Sequence, residues 1–326
     1  MVPQATISIY IAPNVTSSFY NAIQRAVNDN CDVISISWGG PEFSNYLAAP
    51  LAAAAANGIT VLVASGDYGS SATGAASEAP QYPATSADVL AVGGTFLENL
   101  QTSYPTEYSA NHSGGGISSI IPVPAWQNGL QYTSSPDNIT HVLYTGQIGN
   151  GQGRGIPDIA APFYNYVFYF GGSLNASLAG TSFACPVMAG MIARFVALNG
   201  RRPANGARTL NTRFYSNISA FNNSIFNQVV YSTSGGYVVH NPGDDIVVAG
   251  INGYVAAAGQ WDPVTGLGSP RGTDVYHLAT SGGLKVKTAA NTWSYVSNVR
   301  VKTAPTIWSN VQAIWTKTVT GWQQTY

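Results

Sequence analysis

Apolar positions in the first part of the chain follow two different periods, one after the other. Residues 5–13 (ATISIYIAP) alternate apolar and polar side chains and are rich in β-branched types, which predicts a strand. Residues 18–29 (SFYNAIQRAVND) space their apolar side chains as on one face of a helix, and Ser17 or Ser18 is available as the N-cap. We therefore expect a strand followed by a helix.

The same alternation continues along the chain. Residues 31–40 (CDVISISWGG) and 59–71 (ITVLVASGDYGSS) are typical of buried strands, and the Ala-rich residues 45–58 between them predict a helix ended by Gly58. Another strand is predicted over residues 88–95 (DVLAVGGT). Strands separated by helices in this rhythm indicate an α/β fold, a doubly wound parallel sheet with helices on both faces.

Two later stretches carry candidate chemistry. Residues 113–127 (SGGGISSIIPVPAWQ) predict a loop punctuated by Gly and Pro, and residues 182–200 predict a buried helix that starts at Ser182 and ends at Gly200. A helix N-terminus favours negative charge, which suits a serine oxygen that reacts there. A serine hydroxyl is a poor nucleophile without a base within hydrogen-bond reach, so the rest of the chain has to supply that base.

The end of the chain has a different character. From about residue 284, a Lys-Thr pair followed by a Trp recurs with a period of 15 residues. This repeat predicts short β-strands after the linker TSGGLK. We therefore expect a main domain over residues 1–280 and a short β-type repeat tail over residues 281–326.

Composition narrows the classes of partner. The chain has 13 Lys+Arg and 14 Asp+Glu residues and a net charge of −1, so it has no electrostatic footprint for nucleic acid or an anionic membrane. Only 8% of the residues are charged, which predicts tolerance of acid because few paired carboxylates can be lost. Cys31 and Cys185 are too few for a disulfide framework, and we interpret both as buried free thiols. No signal-peptide pattern follows Met1, and no apolar run reaches the length of about 18 residues that predicts a membrane span.

A set of short motifs connects these elements to a known family. Gly-Thr-Ser before a small-residue helix resembles the nucleophile motif of the subtilisin-like clan, but the HGT motif of ordinary subtilisins is absent. The sedolisin family of serine-carboxyl peptidases is the better match, because in this subtilisin-like fold a Glu replaces the His and an Asp replaces the oxyanion-hole Asn. The similar stretches cover about residues 5–275 and are, in order, IYIAPN, VISISWGGPE, VASGDYGS, YPATSADVLAVGGT, SGGGISSIIPVPAWQ, GRGIPDIA, AGTSFACPV and GQWDPVTGLGSP.

The resemblance implies two catalytic residues. Ser182 in GTS would be the nucleophile, and Asp67 in SGDYGS would be the carboxyl of the oxyanion hole. A neutral carboxylic acid can donate a hydrogen bond to the oxyanion of a tetrahedral intermediate, provided that the site works below the pKa of that acid. The alternative is that Asp67 only stabilises a Gly-flanked turn.

The resemblance also implies walls for the substrate cleft. Glycines at these positions would let an extended peptide backbone approach closely. Trp38 is equally well explained as a core aromatic. The implied substrate-binding residues are Ser37, Trp38, Gly39, Gly114 and Gly115.

A calcium site is implied near the end of the main domain. In the family, an Asp-Ile pair and a later Asp bind calcium together with backbone carbonyls, and oxygen ligands suit this cation. The matching positions are Asp245, Ile246, Ala258, Gln260 and Asp262. Glycines expected near residues 258 and 260 are absent, but carbonyl ligands do not depend on side chains.

The expected base is missing from the sequence. In the family, a Glu and an Asp four residues later share one helix face just upstream of the strand that matches residues 5–13. None of the four glutamates has an Asp four residues later; these are Glu42, Glu78, Glu98 and Glu107. The four histidines lie in loop-like or terminal contexts without a partner motif; these are His112, His141, His240 and His277.

Three explanations for the missing base stay open: a longer natural chain, a separate chain that supplies the pair, or a protein that only binds peptide. The sequence predicts a serine-type endopeptidase that acts on polypeptides in acid, with an N-terminal segment or propeptide as partner and an extracellular or virion-associated location. The alternative is a catalytically inactive peptide-binding or structural protein. The Lys-Thr/Trp tail loosely resembles the ends of some phage and virus structural proteins, and an ordinary aromatic β-repeat explains it equally well.

Overall fold

The computed structural model describes most of the main domain and short strands of the tail. The described residues are 2–70, 79–98, 106–110, 112–134, 139–216, 226–227, 229, 261–272, 275–276 and six strands between residues 285 and 324. The chain divides into two compact units, residues 1–271 and residues 272–326. The division lies close to the boundary that we placed after residue 280.

The larger unit contains four α-helices and fifteen strands within its described residues. The helices are α1 Thr16–Asn28, α2 Ala48–Ala56, α3 Thr181–Asn199 and α4 Gly206–Tyr215. The strands are β1 Val33–Ile36, β2 Gly40–Pro41, β3 Thr60–Ala64, β4 Gln81–Tyr82, β5 Val89–Glu98, β6 Thr106–Ser109, β7 Gly116–Ile117, β8 Gln131–Thr133, β9 Thr140–Val142, β10 Gly155–Ile156, β11 Ile159–Pro162, β12 Tyr166–Phe170, β13 Ser173–Leu178, β14 Phe226–Asn227 and β15 Ser269–Pro270.

A five-stranded sheet forms the centre of this unit. Its parallel part has the order β1-β3-β5-β11, and β6 pairs antiparallel with the end of β5. The register aligns Ile34 with Val61 and Val61 with Val89. These strands contain runs of β-branched and aliphatic residues rather than a strict alternation, because a parallel sheet is covered on both faces.

Helices cover both faces of the sheet. Val61 and Val63 are fully buried in a core cluster with residues of α1 and α2. Leu62 and Leu90 point to the opposite side of the pleat and are also fully buried, and α3 packs on β1, β3, β5 and β11. The predicted doubly wound, subtilisin-like α/β sheet is therefore confirmed.

The N-terminal segment differs from its prediction. Residues 5–13 form no strand, and the side chains of Ile7, Ile9 and Ile11 are 83%, 80% and 92% exposed. The segment is tied to the domain by Tyr10, whose hydroxyl donates to Asp29 at 2.9 Å. An alternating pattern shows which side chains could be buried, but a strand forms only when it can pair with a neighbouring strand. Among the described residues, β1 pairs only with β3, so residues 5–13 are not part of the sheet.

Two smaller expectations about local structure were also wrong. Helix α1 begins at Thr16 with Val15 at the N-cap and has no side-chain cap, so neither Ser17 nor Ser18 caps it. Cys185 is buried as expected, but Cys31 is only partly buried and lies 3.4 Å from the Tyr10 hydroxyl. Both thiols are free.

Helix α3 is long and apolar enough, by length and composition, to cross a membrane. In this structure it lies against the parallel strands, so it forms part of the core. A core helix that faces a sheet along its length has the same composition as a membrane span. The sequence alone does not separate the two cases.

The described part of the smaller unit includes three antiparallel strand pairs. The pairs are β16 Lys285–Ala289 with β17 Thr292–Tyr295, β18 Arg300–Ala304 with β19 Ile307–Asn310, and β20 Trp315–Thr318 with β21 Gly321–Gln324. In each pair a Lys aligns with a Trp, and the pairs are Lys287 with Trp293, Lys302 with Trp308 and Lys317 with Trp322. One period of the sequence repeat therefore corresponds to one hairpin.

Candidate active site

Ser182 lies in the first turn of α3. Gly180 at the N-cap has a φ of 141°, a conformation that L side chains rarely adopt, and its N–H donates to the carbonyl of Phe163. This turn starts the helix at Thr181 and leaves Ser182 partly exposed. The side chain is thus accessible at the helix end where developing negative charge is favoured.

A reciprocal pair of hydrogen bonds joins Ser182 to Ser37. The hydroxyl of Ser37 donates to the carbonyl oxygen of Ser182 at 3.1 Å, and the hydroxyl of Ser182 donates to the carbonyl oxygen of Ser37 at 3.4 Å. Pro186 stands four residues after Ser182 and has no N–H to donate to that carbonyl. The proline therefore frees the Ser182 carbonyl for Ser37, which follows β1 at the edge of the sheet.

Asp67 reaches the same helix end from the loop after β3. Its Oδ1 accepts hydrogen bonds from the N–H of Thr181 at 2.7 Å and from the Thr181 hydroxyl at 2.8 Å. A Cβ on Gly180 would lie 2.9 Å from Oδ2 of Asp67, so glycine is required for this approach. The structure thus brings Asp67 beside Ser182, although 114 residues separate Asp67 from Thr181 in sequence.

The predicted glycine loop packs against the loop that carries Asp67. The N–H of Gly114 donates to the carbonyl of Gly66 at 2.7 Å, and a Cβ on Gly114 would lie 2.4 Å from the Ser65 carbonyl oxygen. A Cβ on Gly115 would lie only 1.7 Å from the carbonyl oxygen of Pro263. Close approach of protein backbone is thus sufficient reason for glycine at both positions.

We expect Gly115→Ala to disrupt this packing. The new methyl group would overlap the Pro263 carbonyl oxygen, so the unfolding free energy should fall by about 3 kcal/mol, the upper end of overpacking costs. Urea denaturation followed by circular dichroism measures this loss. Gly40→Ala is the matched control, because a Cβ at Gly40 meets no atom within 4 Å. Equal stability of the two variants would contradict this account of the glycine loop.

The remaining cleft residues occupy different environments. Trp38 is partly buried, packs against the core cluster and stacks on Phe19 with a centroid distance of 4.2 Å. This supports the interpretation of Trp38 as a core aromatic. Gly39 is exposed, and a Cβ there would lie 3.0 Å from Oε1 of Gln81, so this part of the loop also borders protein atoms.

Glu42 joins the two cleft loops, a role that the sequence analysis missed. Its Oε1 accepts from the Ser118 hydroxyl at 2.7 Å, and its Oε2 accepts from the N–H of Ser119 at 2.9 Å. Glu42 follows the SWGG loop, and Ser118 follows the SGGG loop. A contact between residues 76 positions apart leaves no local signal in sequence, so only the tertiary structure identifies it.

The predicted calcium positions fall almost entirely outside the described residues; these are Asp245, Ile246, Ala258 and Gln260. Asp262 is described and buried, and its carboxylate accepts hydrogen bonds from Val264 and Thr265 of its own turn. Among the described residues, no cluster of three or more His, Cys, Asp or Glu could hold a metal. Asp262 thus holds its own turn, and the calcium site as a whole stays a prediction.

Three described candidates for the base, Glu107, His112 and His141, are engaged away from Ser182. Glu107 accepts hydrogen bonds from Thr95 and Ser269, and His112 lies 3.1 Å from the Tyr164 hydroxyl. His141 stacks on Tyr132. Glu78, His240 and His277 lie outside the described residues. Within the described part of the chain, the hydrogen-bond partner of the Ser182 hydroxyl is the Ser37 carbonyl and not a base.

We expect Glu107 to make the protein more stable in acid. Burial raises the pKa of the Glu107 carboxyl above its usual value, although hydrogen bonds from Ser269 and Thr95 oppose the shift. A raised pKa in the folded state means that the contribution of Glu107 to stability is complete below the unfolded value of about 4.3 and is lost as pH rises through the folded value. Urea denaturation between these limits should show falling stability with rising pH, and Glu107→Gln should reduce that slope. Identical pH slopes in the two proteins would contradict the expectation.

Comparison with known proteins identifies the class and then the family. A parallel sheet whose carboxyl edge meets a helix with Gly-Thr-Ser at its start is the arrangement of the subtilisin-like clan, and residues 1–213 match the subtilase family. The chain belongs to the sedolisin family within this clan. It is 33% identical to kumamolisin of Bacillus sp. (strain MN-32) over 297 residues, which cover 83% of this chain and 47% of kumamolisin.

Further relatives agree with this assignment. The chain is 31% identical over 299 residues to tripeptidyl-peptidase sed1 of Aspergillus fumigatus, covering 79% of this chain and 42% of the relative. It is similar in structure to Pseudomonas sedolisin, a serine-carboxyl proteinase solved with two molecules of pseudo-iodotyrostatin, with a TM-score of 0.60 and 27% identity over 83% of this chain and 71% of that one. The chain spans about half or less of the length of the curated relatives.

Proposed function

We propose that this chain is the nucleophile-bearing part of a serine-type endopeptidase of sedolisin type that hydrolyses polypeptides at acidic pH. The observation that carries the proposal is the meeting of Ser182 and Asp67 at the N-terminus of α3, where Thr181 holds the Asp67 carboxyl at 2.7 Å. A peptide-binding protein needs neither a reactive serine nor a carboxyl beside it. The family membership supports the same chemistry.

The chemistry assigns a separate task to each group. The Ser182 oxygen attacks the scissile carbonyl carbon, and the carbonyl oxygen becomes an oxyanion. Thr181 anchors Oδ1 of Asp67, which leaves Oδ2 as the oxygen that donates a hydrogen bond to the oxyanion when the carboxyl is protonated. Because a protonated carboxyl is required, the proposed site operates in acid.

The base that activates Ser182 comes, in this proposal, from polypeptide outside the 326 residues, as a Glu/Asp pair on an N-terminal segment or a propeptide. Two observations support this. The described residues place no acid against the Ser182 hydroxyl. Residues 5–13 also leave three alternating isoleucines exposed, and β1 lies at the end of the described sheet, so both offer a surface that another strand could cover.

The proposal also includes a calcium site and a location, and both are taken from the resemblances found in the sequence. Asp245, Ile246, Ala258 and Gln260 would supply oxygen ligands together with the carboxylate of Asp262, which also accepts hydrogen bonds from its own turn. The proposed location is extracellular or virion-associated. The second candidate function is a catalytically inactive peptide-binding or virion structural protein, which the missing base and the tail hairpins favour.

Activity measurements on Asp67 variants test the proposal. In a form extended upstream of Met1, Asp67→Ala should lower kcat on an unstructured protein in acid by about 10²- to 10³-fold with little change in KM. Asp67→Asn should restore part of kcat, and its rate should depend less on acid because an amide donates without titrating. Asp32→Asn, an exposed carboxylate paired with Arg202, is the control. Full activity of Asp67→Ala would show that Asp67 stabilises the local structure and takes no part in catalysis.

Inhibitor binding tests the substrate cleft independently of catalytic activity. Pseudo-iodotyrostatin binds Pseudomonas sedolisin in its solved structure. We expect titration calorimetry to show that it also binds this 326-residue chain, and that Ser182→Ala weakens the binding. Binding without activity in any extended form would support the inactive alternative.

A further inference from the structure

The segment before Ser182 forms an apolar hairpin, which we define as β12 and β13 with the Gly171-Gly172 turn between them. The two glycines have φ values of 59° and 79°, as a two-residue turn between twisted antiparallel strands requires. The register places Tyr169 opposite Leu174 and Phe170 opposite Ser173. The shape of the apolar hairpin is therefore set by its own turn and strand pairing.

One face of the apolar hairpin is attached to the nucleophile helix. The rings of Tyr166 and Phe168 lie 5.2 Å and 6.3 Å from the ring of Phe183, which follows Ser182 directly in α3. The hydroxyl of Tyr166 also donates to the Pro162 carbonyl at 2.6 Å. Only Ala179, Gly180 and Thr181 separate the end of β13 from Ser182. The apolar hairpin thus stands beside the nucleophile at a fixed position.

The other face and the tip are apolar and open to solvent. Val167, Tyr169, Phe170 and Leu174 are 61%, 75%, 75% and 61% exposed. Single exposed apolar residues are ordinary, but a contiguous group on one small element marks an interaction surface. Residues 162–181 contain no Asp, Glu, Lys, Arg or His, so this surface offers no charge to an anionic membrane or to a charged ligand.

We propose that the apolar hairpin is a binding surface for aromatic and aliphatic side chains of the polypeptide substrate. This inference rests on the proposed function and adds a substrate class to it. Each strand of the hairpin is about 17 Å long, and an extended substrate advances about 3.3 Å per residue. The apolar hairpin therefore selects uncharged apolar residues within about five positions of the bond at Ser182.

Peptide binding in a Ser182→Ala background tests the inference without cleavage. The probes are two labelled, uncharged peptides of about fifteen residues, one with Leu and Phe at every second position and one with Ser at those positions. The parent should bind the apolar peptide about 10- to 100-fold more tightly than the Ser peptide. Combined Tyr169→Ser, Phe170→Ser and Leu174→Ser replacements should reduce that ratio to about 1 to 3.

The matched control replaces two exposed apolar residues outside the hairpin, Ile139→Ser and Ile148→Ser. The control should keep the parent ratio, and near-UV circular dichroism should show that all forms are folded. An unchanged ratio in the hairpin variant would overturn the inference. Hairpin-dependent binding to phosphatidylcholine vesicles, or hairpin-dependent dimerisation in light scattering, in place of peptide preference would overturn it as well.

The same experiment distinguishes this inference from the proposed function. If no extended form cleaves protein but the hairpin-dependent peptide preference is present, the peptidase proposal fails and the binding surface stands. If cleavage occurs and the preference is unaffected by the hairpin variant, the peptidase proposal stands and the binding surface is wrong.

Discussion

Replacing Ser182 by alanine is expected to abolish peptidase activity in a form of the protein that carries the N-terminal segment. Removal of the attacking oxygen leaves only substrate positioning and the oxyanion hole. The loss should be on the order of 10⁶-fold in kcat, as in subtilisin, with a small residual rate above that of water. Hydrolysis of an unstructured protein at acidic pH, followed by the appearance of new amino termini, measures it.

Two serine variants make this test specific. Ser44→Ala removes an exposed hydroxyl outside the cleft and should have no effect. Ser37→Ala removes the donor to the Ser182 carbonyl, so it should lower kcat by about 10-fold, the worth of one neutral hydrogen bond. Activity of Ser182→Ala close to that of the parent would exclude Ser182 as the nucleophile. A loss equal in Ser37→Ala and Ser182→Ala would indicate damage to the fold around the helix start.

The second large effect is a loss of stability, which we expect when the buried ion pair between Arg154 and Asp158 is broken. Arg154 and Asp158 are both fully buried, and Nη2 of Arg154 donates to Oδ2 of Asp158 at 2.7 Å. Oδ1 of Asp158 accepts from the Tyr215 hydroxyl at 2.8 Å, and Oδ2 also accepts from the N–H of Ala91 at 2.7 Å. Burial raises the pKa of Tyr215 well above its usual value, so its hydroxyl remains a donor. These contacts join β5, β11 and α4.

We expect Asp158→Ala to lower the unfolding free energy by about 3 to 5 kcal/mol, because it leaves the Arg154 guanidinium buried without its counter-charge. Urea denaturation at neutral pH measures the loss. Asp158→Asn keeps the shape and should be less damaging. Asp29→Ala is the matched control, since Arg25 and Asp29 have the same four-residue spacing on the surface and should contribute little. Equal effects of Asp158→Ala and Asp29→Ala would show that the buried pair is not required.

Much of the fold could be predicted because its signals are local. The runs around Val33–Ile36, Thr60–Ala64 and Val89–Glu98 are buried strands, and Gly200 ends α3 in the left-handed conformation with a φ of 67°. Residues 5–13 could not be predicted correctly, because an alternating pattern does not show whether a neighbouring strand is present. The predicted cap of α1 was also wrong: two adjacent serines offer caps, but the helix begins at Thr16, before either of them.

The candidate site was predicted only in part. Motifs in sequence order singled out Ser182 and Asp67, and the structure places them at the same helix end. The motifs did not show that Ser37 binds the carbonyl freed by Pro186, or that Glu42 fastens the two cleft loops. They also did not show that Gly114 and Gly115 lie too close to other backbone atoms of this chain to carry a side chain. This reason for glycine is independent of any approach by a substrate.

The sequence by itself determined the class of fold, the family and the two residues that carry the proposed chemistry, because apolar periodicity and short motifs are properties of neighbouring residues. The tertiary structure alone decided which side chains meet. Asp67 caps the helix of Ser182, Arg154 finds Asp158 and Tyr215 in the core, and the apolar hairpin stands open beside the nucleophile. Contacts between distant residues depend on how strands and helices pack, and no local pattern records that packing.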